Sequence, residues 1–225
     1  MTEPIPITKM TGAGNDFVVL DAAAADLVGE RLPDWVRSVC RRGVAVGADG
    51  VLVVRQDSPG KVAVEFRNPD GSMAFCGNGT RCAARFAALA GLTGPSAVLS
   101  TAVGDVPSVV QPDGLVRLTL PPVVDHGSRT VEAAGEEITG RFVVAGVPHF
   151  VVPVADVAGA PLERWGPAVR SHPGFGPEGT NLDLISTDDA GLVRIRTWER
   201  GVEGETLACG TGAVAAGAVA ARLAG

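Results

Sequence analysis

The sequence predicts an α+β protein made of two similar domains that face each other. Three observations lead to this prediction: an internal repeat, a strong helix signal directly after a Cys-Gly motif in each half, and strand-like segments before each of those helices. The chain has 225 residues, 46% of them apolar. That is enough to form the core of one large domain or of two small ones.

The internal repeat is found when the chain is compared with itself at a displacement of 133 residues. This displacement places Cys76 on Cys209 and aligns the two glycines that follow each cysteine. Residues 76–80 read Cys-Gly-Asn-Gly-Thr, and residues 209–213 read Cys-Gly-Thr-Gly-Ala. The match indicates that the two halves of the chain are homologous.

A second match at the same displacement supports the repeat. It places residues 17–19 on residues 150–152, and both segments read Phe-Val-Val. We therefore predict an N-terminal half, residues 1–113, and a C-terminal half, residues 114–225, joined at a turn-like Gln-Pro-Asp-Gly stretch.

Local patterns assign strands and helices to both halves. Alternating or continuous apolar residues predict strands, and apolar residues at helical spacing predict helices. The predicted strands cover residues 51–54, 62–66 and 116–120, and the predicted helices cover residues 33–42, 78–90, 161–170 and 211–224.

Composition and charge argue against nucleic-acid and membrane partners. The net charge is −6, the pI is near 5.1, and the chain has no tyrosine to stack on nucleobases. The N-terminus lacks the pattern of a secretory signal, which predicts a cytoplasmic protein. The uncharged stretch from Leu207 to Ala221 is shorter than the roughly 20 residues of a membrane span, so we interpret it as a helix buried in protein.

The four cysteines do not form a metal-binding pattern. Cys40, Cys76, Cys82 and Cys209 include no Cys-x-x-Cys pair and no histidine at ligand spacing, so no metal is expected. In a reducing compartment all four should be thiols. Cys40 and Cys82 have no counterpart in the repeat and are predicted to be small core residues on helices.

The paired Cys-Gly motifs suggest acid–base chemistry. A cysteine at a helix N-terminus lies near the partial positive charge of the helix, which lowers the pKa of its thiol. The glycines that follow let backbone amides approach an anion such as a carboxylate. A single cysteine of this kind is more often a packing residue, but two in matching places favour one shared ligand.

Two thiols on opposite sides of one carbon suit the inversion of an amino acid. A thiolate removes the α-proton from one face, and a thiol delivers a proton to the other. Amides from both turns would hold the carboxylate, where charge develops. This scheme needs no pyridoxal cofactor, and the chain has only Lys9 and Lys61 to bind one, so no cofactor is expected.

Ordered motifs along nearly the whole chain resemble those of the diaminopimelate epimerases, which belong to the cofactor-independent amino-acid racemases and epimerases. These motifs are Lys-Met-Thr-Gly-Ala-Gly-Asn-Asp-Phe at 9–17, Gly-Ala-Asp-Gly at 47–50, Phe-Arg-Asn-Pro-Asp-Gly-Ser at 66–72, Gly-Val-Pro-His at 146–149, Gly-Thr-Asn at 179–181, Trp-Glu-Arg-Gly at 198–201 and Gly-Glu-Thr-Leu-Ala-Cys-Gly-Thr-Gly at 204–212.

The resemblance implies the fold, the reaction and the acid–base residues. Each domain would be a mostly antiparallel curled sheet or barrel around a central helix, with the active site in the cleft between them. The reaction would be the epimerisation of LL-diaminopimelate to meso-diaminopimelate, in lysine and peptidoglycan precursor biosynthesis, by a homodimer. Cys76 and Cys209 would be the acid–base pair, and His149 and Glu199 would tune or relay their protons.

The resemblance also implies the substrate-binding residues. The reacting amino-acid end would be held by Gly77, Asn78, Gly210 and Thr211. Asn15 would meet the substrate as well, and the distal end would be bound chiefly by Asn68, Asn181, Glu199 and Arg200. The guanidinium of Arg200 is a suitable bidentate partner for a distal carboxylate.

Two departures from the family pattern leave alternatives open. Val147 stands where many relatives have an asparagine that is expected to bind the distal group, and residues 11–14 read Thr-Gly-Ala-Gly where His-Gly-Leu-Gly is common. A related two-cysteine racemase of another amino acid, such as histidine, is therefore the first alternative. A cysteine transferase or hydrolase with Cys76 as nucleophile and His149 as base is the second, and a carboxylate-binding module without chemistry is the third.

Overall fold

In the computed structural model, the chain divides after Leu120 into two compact units. The structure describes residues 4–224. We call the part up to Leu120 unit 1 and the part from Pro121 unit 2. Each unit contains one sheet with helices packed on it, so the predicted α+β class is confirmed.

Unit 1 is built on a mostly antiparallel sheet of eight strands. The strands are β1 (Thr8–Gly12), β2 (Asn15–Leu20), β3 (Gly50–Ser58), β4 (Lys61–Arg67), β5 (Met73–Ala74), β6 (Ser96–Thr101), β7 (Gly104–Val110) and β8 (Val116–Leu118). Their order is β1-β2-β3-β4-β6-β7-β8, with β5 paired to β4. The β2–β3 and β4–β6 pairs are parallel.

The helices of unit 1 cover both faces of this sheet. They are α1 (Ala22–Val28), α2 (Leu32–Val39) and α3 (Gly77–Leu89). Phe17 and Leu52 share a core with α3, whereas Val18 and Val51 share a second core with α1 and α2. Because β2 and β3 are covered on both faces, their sequences read as continuous apolar runs.

Unit 2 is built on a sheet of six strands in the order β14-β13-β12-β11-β10-β9. The strands are β9 (Val124–Ala133), β10 (Glu136–Ala145), β11 (Val147–Pro153), β12 (Asn181–Thr187), β13 (Val193–Glu199) and β14 (Gly204–Thr206), and the helices are α4 (Leu162–Arg170) and α5 (Gly210–Leu223). The β11–β12 pair is parallel. Val151 and Ile185 share a core with α5, and Phe150 and Leu182 share another core with α4.

The two units repeat one topology. In unit 1 the successive pairs from β1 to β5 are antiparallel, parallel, antiparallel and antiparallel, and α3 follows. In unit 2 the pairs from β10 to β14 have the same directions in the same order, and α5 follows. The repeat seen around the cysteines therefore extends to the order and direction of the strands.

The second sequence match, however, is out of register by one residue. Phe17 shares the core of α3, whereas Phe150 shares the core of α4, on the opposite face from α5. Side chains alternate between the faces of a strand, so the counterpart of Phe17 by position is His149. The Phe-Val-Val match lies on corresponding strands but does not align corresponding side chains.

The boundary between the units also differs from the predicted position after residue 113. The Gln-Pro-Asp-Gly stretch is a turn inside unit 1, where the Gln111 N–H donates to the Leu115 carbonyl at 2.8 Å. This turn joins β7 to β8, which pair antiparallel. Because β8 belongs to the first sheet, unit 1 continues to Leu120.

The predicted helices correspond to α2, α3, α4 and α5, and their ends differ from the predicted ones by at most three residues. α5 begins at Gly210, and Ala215, Ala216 and Val219 on one of its faces are buried. No helix within residues 4–224 has the length and apolar character needed to cross a membrane.

Candidate active site

Cys76 is the N-cap residue of α3. Its backbone is extended, with φ −134° and ψ 113°, and its Sγ accepts a hydrogen bond from the Gly79 N–H at 3.4 Å. The Cys76 carbonyl accepts from both the N–H and the hydroxyl of Thr80, each at 2.8 Å. The sequence prediction of a cysteine at the start of a helix is therefore confirmed here.

Asn78 connects the first turn of α3 to the hairpin of β1 and β2. Its Nδ2 donates to the Asn15 Oδ1 at 2.7 Å, and the Asn15 Nδ2 donates to the Asp49 Oδ2 at 3.0 Å. Arg81 also donates to the Asn78 side chain. The structure thus brings together Asn15 and Asn78, two of the predicted substrate-binding residues, beside Cys76.

A cluster of charged side chains lies next to Asn15. Asp16 forms ion pairs with Lys9 and Arg42, and Arg42 also pairs with Asp49 at 2.7 Å. Burial alone would raise the pKa of Asp16, but hydrogen bonds from Arg42 and Lys9 outweigh it and lower the pKa from 3.8 to about 2. The Asp16 carboxylate, next to Asn15 in the chain, is therefore held in its charged form.

Asn68 lies outside the Asn15–Asn78 network. It begins the turn after β4, where its Nδ2 donates to the Ser72 Oγ at 3.1 Å and its N–H donates to the Ser72 carbonyl at 2.9 Å. Its predicted contact with a substrate remains a prediction.

Cys209 is the N-cap residue of α5 and has the same geometry as Cys76. Its φ is −111° and its ψ 111°, and its Sγ accepts from the Gly212 N–H at 3.4 Å. Its thiol does not follow the predicted lowering of pKa. Burial, followed by the negative charges of Glu199 and Asp183, raises the pKa of Cys209 and outweighs the effect of its hydrogen bonds with Thr211 and Gly212. Cys209 is therefore a thiol at neutral pH.

A chain of buried polar side chains leads away from Cys209. The Cys209 Sγ lies 3.4 Å from the Thr211 Oγ1, which lies 3.0 Å from the His149 Nε2. On the other side of the ring, the His149 Nδ1 lies 2.7 Å from the Asp183 Oδ2. The Asp183 Oδ1 accepts from the Thr197 hydroxyl at 2.7 Å. His149, a predicted relay residue, is thus connected to Cys209 through Thr211.

Asn181 and Arg200 lie at one end of the same sheet. The Asn181 side chain is buried, donates to the Pro148 carbonyl at 3.1 Å and accepts from the Arg200 N–H at 2.7 Å. The Arg200 Nη1 pairs with the Glu178 Oε2 at 3.1 Å. Asn181 therefore fixes the backbone that carries Arg200, and the guanidinium is bound to a carboxylate that is itself mostly exposed.

Glu199, the remaining predicted acid–base residue, ends β13 and is half-buried. Its negative charge is the second largest cause of the raised pKa of Cys209. Gly210 and Thr211 form the first turn of α5, as Gly77 and Asn78 form the first turn of α3.

Sequence reasoning missed Asp183, Thr197 and Asp49 as parts of this site. A signal for Asp183 was present: it stands between Leu182 and Leu184 in the buried part of its strand. A charged residue in such a strand is stable only with partners. No sequence pattern indicates that Thr197 is one of these partners.

The other two cysteines are core residues. Cys40 and Cys82 are both buried, and burial raises the pKa of each thiol to about 11. A Cβ atom added at Gly12 would lie 2.8 Å from the Cys82 Sγ, so Cys82 fills the space between α3 and β1. Within residues 4–224 the His, Cys, Asp and Glu side chains do not form a group of three that could hold a metal ion.

Comparison with solved structures defines the class of fold. The chain is similar to a hydroxyproline epimerase from Agrobacterium vitis with bound trans-4-hydroxy-L-proline, with a TM-score of 0.67 and 21% identity over 97% of this chain and 76% of that one. It is also similar to a predicted epimerase from Pseudomonas aeruginosa, with a TM-score of 0.63 and 18% identity over 97% and 82% of the two chains. The fold is thus one that epimerases use.

Comparison of sequences defines the family. The model of the diaminopimelate epimerase family matches residues 7–124 and 141–225. The diaminopimelate epimerase of Aquifex aeolicus (strain VF5) is 42% identical in an alignment 217 positions long that covers 92% of this chain and 78% of that protein. That of Archaeoglobus fulgidus is 38% identical in an alignment 235 positions long, gaps included, that covers 97% of this chain and 82% of that protein. The chain belongs to the diaminopimelate epimerase family, and it is an isomerase.

Proposed function

We propose that this protein converts LL-diaminopimelate to meso-diaminopimelate with two bases, Cys76 and Cys209, and without a cofactor. The observation that carries the proposal is the matched geometry of the two cysteines. Each caps a helix, and each Sγ accepts the N–H of the residue three positions later at 3.4 Å. The proposal requires the two helix N-termini to face one substrate carbon from opposite sides.

The reaction removes a proton from one face of the α-carbon and adds a proton to the opposite face. The Cys76 thiolate takes the α-proton, so an S–H bond forms, and the electron pair of the broken C–H bond moves toward the α-carboxylate. Backbone N–H groups at the start of α3 and α5 stabilise that charge. The Cys209 thiol then protonates the opposite face and becomes a thiolate. The reverse reaction exchanges these roles.

The raised pKa of Cys209 supports this division of roles in the resting enzyme. A thiol that stays protonated is ready to act as the acid, and the partner cysteine must then be the base. After one turnover the protonation states of the two thiols are exchanged, so proton transfer between the thiols and solvent resets the enzyme before it acts on a second molecule of the same isomer.

The distal end of the substrate is assigned to Arg200. Its guanidinium binds the exposed carboxylate of Glu178 in the structure, so a carboxylate is already its partner. The distal carboxylate of diaminopimelate would displace Glu178, and Asn181 would keep the Arg200 backbone in place. Val147 contributes no polar group. By family, we place the enzyme in the cytoplasm as a homodimer.

Isotope exchange tests this proposal. Purified, reduced enzyme is incubated in D₂O with LL-diaminopimelate, meso-diaminopimelate or L-histidine, and NMR follows the α-proton signal. We expect exchange with both forms of diaminopimelate and none with histidine. Exchange with histidine alone would favour the racemase alternative.

Cysteine variants test the roles of the two thiols. We expect Cys76→Ala and Cys209→Ala each to abolish epimerisation, while Cys40→Ala, a buried cysteine outside the site, retains it. Full turnover by the Cys209→Ala variant would favour the transferase or hydrolase alternative. Exchange by the Cys76→Ala, Cys209→Ala double variant would exclude the two-thiol mechanism.

A further inference from the structure

The helices that carry the two cysteines rest on different surroundings. A Cβ atom added at Gly79 would lie 3.1 Å from the Leu52 Cδ2 and 3.5 Å from the Phe17 Cε1. A Cβ atom added at the matching Gly212 would lie 2.8 Å from the Asp183 Oδ1 and 3.2 Å from the Thr197 Oγ1. The strands below α3 therefore present apolar groups where those below α5 present polar ones.

The correspondence holds on three neighbouring strands. In unit 1, Leu52 pairs with Val19 on β2 and with Phe66 on β4. In unit 2, Asp183 pairs with Val151 on β11 and with Thr197 on β13. We call Phe17, Leu52 and Phe66 of unit 1 the apolar trio. The matching positions of unit 2 are occupied by His149, Asp183 and Thr197, which we call the polar trio.

Replacing an apolar trio with a polar one inside a core is costly. His149 and Asp183 are each 0% exposed and Thr197 is 3% exposed. Buried charged and polar groups lose their hydration, and an apolar trio of similar size is often as stable or more stable. Unit 1 shows that this fold accepts the apolar version. The polar trio below Cys209 is therefore best explained by what it does for the site.

The hydrogen bonds of the trio have a fixed direction. The Asp183 carboxylate only accepts, so the His149 Nδ1 bonded to it must carry a proton. In a neutral imidazole the Nε2 is then an acceptor, so the Thr211 hydroxyl donates to it. The Thr211 oxygen keeps a lone pair free of that bond and faces the Cys209 Sγ at 3.4 Å. The Cys209 S–H is thereby the donor at the end of the chain.

We propose that Asp183, held by Thr197, is a positioning residue that fixes neutral His149 as the Nδ1–H tautomer and so makes Thr211 the acceptor of the Cys209 proton. The matching positions in unit 1 hold the apolar trio. The inference rests on the proposed acid–base role of Cys209 and names the residues that carry its proton.

Protons can pass from Cys209 through Thr211 to His149, and this relay neither gains nor loses a proton overall. When the Cys209 thiol is deprotonated so that it can act as a base, its S–H proton moves to the Thr211 oxygen. At the same time the Thr211 hydroxyl proton moves to the His149 Nε2. One S–H and one O–H bond break, and one O–H and one N–H bond form, which leaves a thiolate and an imidazolium. The Asp183 carboxylate offsets the imidazolium charge. The carboxylate of Glu199 is the other charge that acts on Cys209.

The tautomer of His149 tests the proposal without any substrate. In ligand-free enzyme labelled with ¹⁵N at histidine, long-range ¹H–¹⁵N spectra distinguish a protonated Nδ1 from a protonated Nε2. We expect a neutral ring with the proton on Nδ1, and we expect both tautomers in Asp183→Asn, because an amide can donate as well as accept. A protonated Nε2 in the wild-type enzyme, in either the neutral or the charged ring, would overturn the proposal.

Conservative variants separate positioning from packing. For Thr211→Val and Asp183→Asn we expect kcat to fall by about 10–100-fold, with KM within about two-fold of wild type, as for other residues that orient a reacting group. Thr211→Ser and Thr197→Ser keep the hydroxyl groups and should retain most of the wild-type kcat. Ser108→Ala removes a buried hydroxyl from unit 1 and is the control, with kcat unchanged.

A double variant makes the last distinction. If Asp183 acts through Thr211, the Asp183→Asn, Thr211→Val variant should be no slower than the worse single variant. Multiplied losses would overturn the proposal, as would equal activity of Thr211→Val and Thr211→Ser. If the wild-type enzyme does not turn over diaminopimelate, the proposed function fails, while the tautomer measurement still decides the role of Asp183.

Discussion

At the scale of a residue, the pKa of the Cys209 thiol is set by opposing effects. The helix N-terminus and the N–H of Gly212 favour the thiolate, but burial and two carboxylates favour the thiol more strongly. The sequence shows the helix start and the glycines. The family resemblance implied Glu199, but no pattern indicated that Asp183 lies near Cys209, because it is on a strand distant in sequence from Cys209.

The charge of Glu199 should be measurable at Cys209. Glu199→Gln removes one of the negative charges that raise the thiol pKa, so the pKa of Cys209 should fall and alkylation of Cys209 at pH 8 should become several-fold faster. Mass spectrometry of iodoacetamide-treated protein gives the rate for each cysteine. Glu205→Gln, a change to a carboxylate paired with Arg196, is the matched control and should leave the rate unchanged.

Asp16 predicts a pH dependence of stability. Its pKa in the folded protein is about 2 and its ordinary value is 3.8, so its contribution is complete above about pH 4 and is lost as the pH falls toward 2. The shift corresponds to about 2 kcal/mol of unfolding free energy. In urea titrations, Asp16→Asn should therefore be less stable than wild type at pH 7, and the difference should shrink below pH 4.

An exposed ion pair provides the control for this measurement. Asp105 pairs with Lys61 at 2.9 Å on the surface, where solvent screens the interaction, so Asp105→Asn should change stability little. A difference between Asp16→Asn and wild type that stays constant from pH 7 to pH 3 would contradict the account of Asp16.

At the scale of elements, close approach explains several sequence features. Gly12 belongs to β1 and lies against α3, where an added Cβ would be 2.8 Å from the Cys82 Sγ and 3.1 Å from the Asn78 carbonyl oxygen. This contact holds the hairpin that carries Asn15 against the first turn of α3. Cys82, which the repeat left without a role, packs at this contact.

Gly12→Ala should therefore separate β1 from α3. We expect a loss of unfolding free energy of about 1–3 kcal/mol, measured by urea denaturation, because the core is overpacked. Gly94→Ala, at a position with open space around it, should cost little. The Gly12→Ala, Cys82→Ala double variant should lose less than the sum of the two single variants, since removal of the sulfur relieves the nearer clash. Additive losses would contradict this contact.

The sequence predicted elements better than it predicted register. Helices after both Cys-Gly motifs and strands over the apolar runs are confirmed, because cap residues and apolar patterns act locally. The Phe-Val-Val match aligned the two strands one residue out of register, because apolar similarity does not indicate which face of a strand a side chain occupies. Because of this one-residue shift, the sequence comparison did not align Phe17 with His149. It therefore did not reveal the difference between the two cysteine sites.

At the scale of the whole molecule, the repeat supplies two related sites that have become different. Both units provide a cysteine that caps a helix, with glycines in the first turn behind it, and unit 2 adds a buried polar trio. The proposed function requires the two thiols to meet across one carbon, and the repeat by itself predicted this from Cys76 and Cys209.

Oxidation tests that meeting directly. Two thiols on opposite faces of one carbon are close enough to form a disulfide after a small movement, so air or a mild oxidant should inactivate the enzyme and a reductant should restore it. Peptide mapping should find Cys76 linked to Cys209. Activity that is indifferent to oxidant, or a disulfide that involves Cys40 or Cys82 instead, would count against the shared site.

The two-base mechanism is tested most directly by the position of the isotope label early in the reaction. LL-diaminopimelate is incubated with enzyme in D₂O, and the reaction is stopped at low conversion. If Cys76 takes the proton and Cys209 delivers a different one, the meso product should carry one deuterium at the inverted carbon while the remaining LL substrate keeps its α-proton. Deuterium appearing in the remaining substrate as fast as in the product would contradict two separate bases.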